Sequence, residues 1–414
     1  MTHYLSPKRT IMTPGPVEVD PVVLRAMSAP ILGQFDPTFT NMMNDTMQML
    51  RSLFQTKNRW AFPIDGTSRS GIESVLASVV SRGETVLIPV YGRFGYLLQE
   101  ICERYGAHVV TIEQPQGTVF SQETIIDEIY RIRPDVVAIV HGETSTGCMQ
   151  PIDQLGQACL NVDALFIVDA VATIGGTEVN VDEWQIDACI GGTQKCLSVP
   201  SGMAPITYNE RIENVLQKRK KIERGIATDD DLQTHQQKNI IPSNYFDLSQ
   251  LQEYWGPRRL NHHTEATSML YALHAGLTMV LDEGLENRFE RHRTHEAALI
   301  AGIRALGLTL FINEDYKLPV VTCVNVPEGI DADQVRAFML EHFGVEIASS
   351  FGSLHGKIWR IGTMGASCRK ENVLFVLAAL EAALTYYGVN LSRGNSVQAA
   401  LTYYVNQASN KERV

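Results

Sequence analysis

Two stretches decide the fold of this chain. Ala164-Leu-Phe-Ile-Val-Asp169 is an unbroken apolar run ending on a carboxylate, and Ile190-Gly-Gly-Thr-Gln-Lys-Cys-Leu197 is a second apolar end that runs into a lysine. Continuous apolar runs of this kind read as buried parallel strands. Working outward, comparable runs occur at 85–90, 108–112, 135–141 and 186–190, and they alternate with amphipathic helical segments at 71–80 and 94–105. That alternation implies right-handed crossovers, an α/β fold with helices on both faces of a mostly parallel sheet, and ligands gathered at the carboxyl ends of the strands.

Further along, the polar stretch 223–243, with Asp229-Asp-Asp231 and Gln236-Gln-Lys238, reads as an irregular or mobile surface segment. Helical periodicity resumes over 267–306. Pro319-Val-Val-Thr-Cys-Val-Asn-Val326, a helix over 331–343 and Lys357-Ile-Trp-Arg-Ile-Gly362 then read as a smaller α+β unit. The expected division is an N-terminal segment 1–20 joining the small unit or a partner subunit, a large domain 21–280, a small domain 281–394 and a tail 395–414 that either packs on the dimer or is loose.

With 414 residues, 44% of them hydrophobic and 20% charged, the chain has room for two domains and a substantial core. A formal charge of −11 argues against general nucleic-acid binding. The basic cluster Lys218-Arg-Lys-Lys221 with Arg224 reads as the solvated face of a helix. Seven scattered cysteines without CxxC spacing indicate neither a disulfide framework nor a zinc knuckle, which suits a reducing, cytoplasmic setting. The first residues hold no apolar run of signal-peptide length, and the apolar stretch 373–384 is short and carries Glu381, so no membrane partner is expected.

The amine of Lys195 and the carboxylate of Asp169 fall near neighbouring strand ends. Pyridoxal phosphate needs that pair, a lysine to hold it covalently and an acid to keep its ring nitrogen protonated. Asp65-Gly-Thr-Ser-Arg-Ser-Gly-Ile-Glu73 sits just before a helix, where backbone N–H groups and the hydroxyls of Thr67 and Ser68 could hold a phosphate or simply cap the helix. No GxxxxGK[ST] or GxGxxG pattern occurs.

Together, Thr13-Pro-Gly-Pro16, Asp65-Gly-Thr-Ser68, His141-Gly-Glu-Thr-Ser-Thr-Gly147, Val168-Asp-Ala-Val-Ala-Thr-Ile-Gly-Gly176, Gln194-Lys195, His262-His-Thr264 and Trp359-Arg-Ile-Gly362 resemble the class V aminotransferases, nearest to the alanine/serine–glyoxylate branch. The resemblance runs from about residue 10 to residue 390. It implies a fold-type I architecture with a mostly parallel seven-stranded sheet, a homodimer with active sites at its interface, and pyridoxal 5'-phosphate as cofactor. By the same resemblance Lys195 holds the cofactor and moves the substrate proton, and Asp169 faces its ring nitrogen. Thr67, Ser68 and Gln194 hold phosphate, with Thr264 reaching in from the partner, while Thr144 lies near the phenolic oxygen. Phe94 stacks on the ring, and Arg360 takes the substrate α-carboxylate, a task suited to its planar fork.

Two departures narrow the substrate. The branch often carries a histidine before an acidic-Pro pair, where this chain has Gln34 in Gly33-Gln-Phe-Asp-Pro37, and a tyrosine before His-His-Thr, where it has Asn261. Two carboxamides complement an amide or ureido group and offer nothing to the methyl of alanine. The pair resembles the ureidoglycine–glyoxylate transaminases of purine breakdown. That implies a ping-pong transfer from (S)-ureidoglycine to glyoxylate, with an alanine- or serine–glyoxylate enzyme as the alternative. A cysteine desulfurase is more remote, since Ser349-Ser-Phe-Gly-Ser-Leu-His-Gly356 contains no cysteine. No metal site is expected, because neither His262-His263 nor His292-Arg-Thr-His-Glu296 has an HExxH or HxxEH pattern, no third ligand is evident, and His292 and His295 read as solvated on a polar helix face.

Overall fold

The computed structural model describes residues 6–234 and 239–411. Its centre is a seven-stranded sheet made of β1 (Trp60–Gly66), β2 (Thr85–Val90), β3 (His108–Glu113), β4 (Val136–Val140), β5 (Leu165–Asp169), β6 (Ala188–Ile190) and β7 (Gly202–Tyr208). The spatial order is β1-β7-β6-β5-β4-β2-β3. Only β7 runs antiparallel to its neighbours, so the other six strands point the same way. Every residue of β4 is buried, as a strand covered on both faces by helices must be. The fold class expected from the sequence is therefore present.

Helix α1 (Ser68–Val79) follows β1 directly and packs against the sheet, with Gly71 so close to Ile190, Ala204 and Ile206 that a Cβ there would meet Ala204 at 2.8 Å. Helix α2 (Arg93–Arg104) follows β2 in the same way. The span 267–306, read as one helical stretch, is two helices, α3 (Thr267–Glu283) and α4 (Leu285–Ala305). They are separated by Gly284, whose φ of +78° a side chain would resist.

A second core lies around Leu299, Ile303, Trp359, Ile361, Leu377 and Leu380. It is built from α4, the antiparallel strands β8 (Val321–Asn325) and β9 (Ile358–Gly362), and α5 (Lys370–Tyr386). The span 331–343 starts as an α-helix, Ala332–Phe338, and widens into a π-turn over Met339–Phe343. The tail is neither loose nor free-standing. Helix α6 (Asn395–Lys411) packs on α4 and α5, with Ala400 buried and Tyr404 bonded to His295 at 2.8 Å. The N-terminal strand Thr10–Ile11 pairs in parallel with Val345–Glu346.

Three readings are corrected here. The basic cluster is not a solvated face: its helix ends at Arg219, which is 4% exposed and donates to the carbonyls of Ser78 and Val80 at 2.8 and 3.1 Å. Lys220 pairs with Glu253, so Lys218, Lys221 and Arg224 alone remain on the surface. His292 is fully buried; its Nε2 accepts from the Gly365 amide at 2.9 Å, and its Nδ1 reaches the Arg288 carbonyl at 2.7 Å. His295 is half-buried beneath α6. Of the polar stretch, Asp229–Thr234 forms a short helix, whereas the Gln236-Gln-Lys238 portion lies outside the described residues.

Candidate active site

Five of the parallel strands deliver their carboxyl ends to one cavity of about 230 Å³, lined by Thr67, Ser68, Phe94, Thr144, Asp169, Gln194 and Lys195 among others. Parallel strands leave their following loops at the same edge, which is why residues spread over 128 positions meet there.

Lys195 is buried, and its Nζ donates to the Pro14 carbonyl. Burial, and then the positive Arg360 nearby, hold its amine down at about 8. Asp169 closes β5; the amide of Val171 donates to its Oδ1 at 3.0 Å, and burial raises its carboxyl to about 6. Gly15 explains the Thr-Pro-Gly-Pro run. A Cβ on Gly15 would stand 2.6 Å from Lys195 Nζ, and its φ of +97° is one that glycine adopts freely.

Thr67, also on the cavity lining, is the N-cap of α1 but makes no side-chain capping bond, so its hydroxyl is not spent on the helix. The first turn of α1 keeps its positive end directed at the cavity wall. Ser68 Oγ donates to Gln194 Oε1 at 2.9 Å, and Gly192 leaves room for that bond, since a Cβ there would meet Ser68 Oγ at 2.4 Å. Together these groups form a cradle of donors suited to a phosphate.

Phe94 lies half-buried on the cavity wall, its amide donating to Glu143 Oε2 at 2.8 Å. Glu143 is a residue that sequence reasoning did not single out. It is fully buried and accepts from the Ser145 amide at 2.9 Å, and burial raises its carboxyl above the ordinary range. Its signal was present: Gly92, on the loop after β2, could carry no Cβ without striking Glu143 Cγ at 2.2 Å. Arg69, Ile72, Leu97, Val171 and Ala172 also line the cavity. Val171 was within the quoted Asp-Ala-Val run.

Arg360, on β9, stands just behind this wall. Its Nη1 donates to the Thr144 carbonyl at 3.0 Å and its Nε to the Ser349 carbonyl at 2.8 Å, and burial holds it down at about 10. Among the described residues its Nη2 has no hydrogen-bond partner. Phe351 lies between two guanidinium groups, 3.9 Å from Arg93 and 4.5 Å from Arg360.

Four expected site residues do not line the cavity of their own chain: Arg360, which reaches it only through Thr144, and Gln34, Asn261 and Thr264. The last three lie away from it. They gather on another face, where Gln34 Nε2 donates to Asn261 Oδ1 at 2.6 Å and the Glu265 amide donates to Gln34 Oε1 at 3.3 Å. Beside them Ile31 and Phe35 are 65% and 61% exposed.

The family model "Aminotransferase class-V" matches residues 30–370 of the chain. The chain is 67% identical over 401 residues to the (S)-ureidoglycine–glyoxylate transaminase of Bacillus subtilis, covering 97% of this chain and 96% of that one. It is 34% identical over 383 residues to the alanine–glyoxylate aminotransferase of Drosophila melanogaster, covering 91% and 93%. The crystal structure of ureidoglycine–glyoxylate aminotransferase from Bacillus subtilis superposes with a TM-score of 0.92 at 64% identity, covering 97% of this chain and all of that one. Those matches extend across the sheet ends, the lysine and the arginine described above, and the chain belongs to the class V aminotransferases.

Proposed function

We propose that this chain transfers the amino group of (S)-ureidoglycine to glyoxylate, giving oxalurate and glycine, with pyridoxal 5'-phosphate as cofactor. The observation that carries the choice of donor is the extent of likeness to the Bacillus subtilis relative, which spans nearly the whole of both chains. Alanine–glyoxylate relatives share far less of the sequence.

The cavity fits such a cofactor. The donor cradle of Thr67, Ser68 and Gln194, the buried carboxylate of Asp169, the amine of Lys195 and the ring of Phe94 all belong to one lining. When bound, the cofactor supplies an electron sink for the carbanion left on the donor's α-carbon. Lys195 then holds and moves the α-proton, a task for which its lowered basicity suits it. Asp169 supports a positive ring nitrogen. Arg360 orients the α-carboxylate through its free Nη2, which fixes the α-carbon relative to Lys195.

One consequence is a pH dependence. Only the uncharged amine attacks an aldehyde, so capture of pyridoxal phosphate by the apoprotein should rise with pH and reach half its maximum near the 8 of Lys195, well below the 10.5 of an ordinary lysine. Stopped-flow capture rates between pH 6 and pH 10 measure this; a half-point near that of free lysine would refute it.

We place Gln34, Asn261 and Thr264 in the active site of a second copy, within a homodimer. In support, they sit together outside their own cavity, on a face with exposed Ile31 and Phe35 that a partner would cover. We also assign the chain to the cytoplasm: its seven cysteines are free and buried, and no helix among the described residues is long and apolar enough to cross a membrane.

The deciding experiment mixes the cofactor-loaded protein with (S)-ureidoglycine, L-alanine or L-serine in the absence of acceptor and follows cofactor absorbance. Fast conversion by ureidoglycine and slow conversion by the other two supports the reading. The opposite ranking would make the protein an amino acid–glyoxylate transaminase.

A further inference from the structure

Around the last residue of β1 before its glycine, three potential ligands converge. Asp65, His263 and Glu265 each present one donor atom, all within 4.8 Å of one another. His263 Nε2 lies 3.0 Å from Asp65 Oδ2 and 4.0 Å from Glu265 Oε2. Glu265 is 4% exposed; its carboxyl faces Asp65 and the Tyr254 hydroxyl but makes no well-aligned hydrogen bond to either, and Asp65 Oδ1 and His263 Nε2 are likewise buried without one. Polar atoms buried in this way are expensive unless something meets them.

The protonation of the two imidazoles can be worked out from their neighbours. His262 Nε2 lies 3.2 Å from the Asn244 carbonyl, which can only accept, so that nitrogen carries the proton. In a neutral ring His262 Nδ1 is then an acceptor, and His263 Nδ1, 2.8 Å away, must donate to it. That leaves His263 Nε2 facing the two carboxylates, and a cation set among these atoms would meet the nitrogen and both oxygens at once. A histidine that ligates through one nitrogen while donating from the other is the usual arrangement at a metal.

We propose that Asp65, His263 and Glu265 form a binding site for one divalent transition-metal ion of the zinc or manganese kind. One imidazole nitrogen and two carboxylate oxygens suit such ions better than magnesium or calcium, which prefer oxygen alone. Three protein ligands leave at least one position to water. Bound there, the ion ties the loop bearing Asn261 and Thr264 to the strand that leads into the Thr67–Ser68 cradle. Among the described residues the Ala266 amide donates to Asp65 Oδ2 at 3.3 Å, a long hydrogen bond that the ion would reinforce between those segments.

The test uses the cofactor-loaded full chain, stripped with a chelator, dialysed, and titrated with Mn²⁺ and separately with Zn²⁺. Expected are one ion per chain, a rise in thermal midpoint on binding, and a loss of affinity of at least about tenfold in both Glu265→Gln and His263→Gln. The second variant keeps the test decisive should the first not fold. Equal uptake by the variants would put the ion elsewhere and overturn the proposal. So would a wild-type chain that takes up no ion, the result expected if a shared proton or a charged His263 reconciles the two carboxylates.

Discussion

Replacing Lys195 with alanine is expected to lower turnover by about 10⁴-fold or more, the upper part of the range for loss of a positioned proton-transfer group, because one amine serves two tasks here. The expectation rests on geometry. Among the described residues no other amine lines the cavity, and the guanidinium of Arg69, also there, offers donors and no acceptor. The cradle of Thr67, Ser68 and Gln194 is untouched by the change, so the cofactor should still bind without being held covalently, and dialysis should now remove it. The fold should survive. The folded amine is held at about 8 against an ordinary 10.5, so burying its charged form costs stability in full below 8 and nothing above 10.5. Alanine removes that cost at neutral pH. Single-turnover kinetics, cofactor retention and the thermal midpoint of the apoprotein check the three parts, and residual turnover within tenfold of wild type would reject the role given to Lys195.

The second large effect concerns donor choice. Gln34 and Asn261 are bonded to each other at 2.6 Å, which uses the carbonyl of Asn261 and leaves its two N–H donors available to a substrate carbonyl. A site built to pair with a polar group can discriminate by about 10⁴-fold against an analogue lacking it. Gln34→His and Asn261→Tyr should therefore each reduce kcat/KM for ureidoglycine by about 10²-fold to 10⁴-fold, with little loss for alanine. Because each replacement breaks the same hydrogen bond, the double variant should lose much less than the product of the two single losses. Losses that multiply, or unchanged ureidoglycine kinetics, would defeat the assignment.

The central strands were legible because burial on both faces leaves an unbroken apolar run that needs no context to read. β1 and β7 were not named from pattern: Pro63 and Pro205, opposite each other in the register, each interrupt their strand at its middle, whereas Pro89 falls next to last in β2 and leaves a readable apolar run before it. Lys195 and Asp169 were legible from local sequence because a strand end fixes where the following residue goes. Sequence alone could not reveal that Gln34 bonds Asn261, 227 positions away, or that Asp65 meets His263. His292 was misread for the same reason: its helix neighbours Arg291 and Arg293 look like a wet face, while the amide it accepts from belongs to Gly365.

The lysine's partner Pro14 lies three residues after a strand that is laced to the small unit, with the Met12 amide bonded to the Glu346 carbonyl and the Gly362 amide to that of Met12. The chain's opening residues thus link the second core to Lys195. Any displacement of that core would reach the amine as a lever does, through a few peptide bonds, without crossing the sheet.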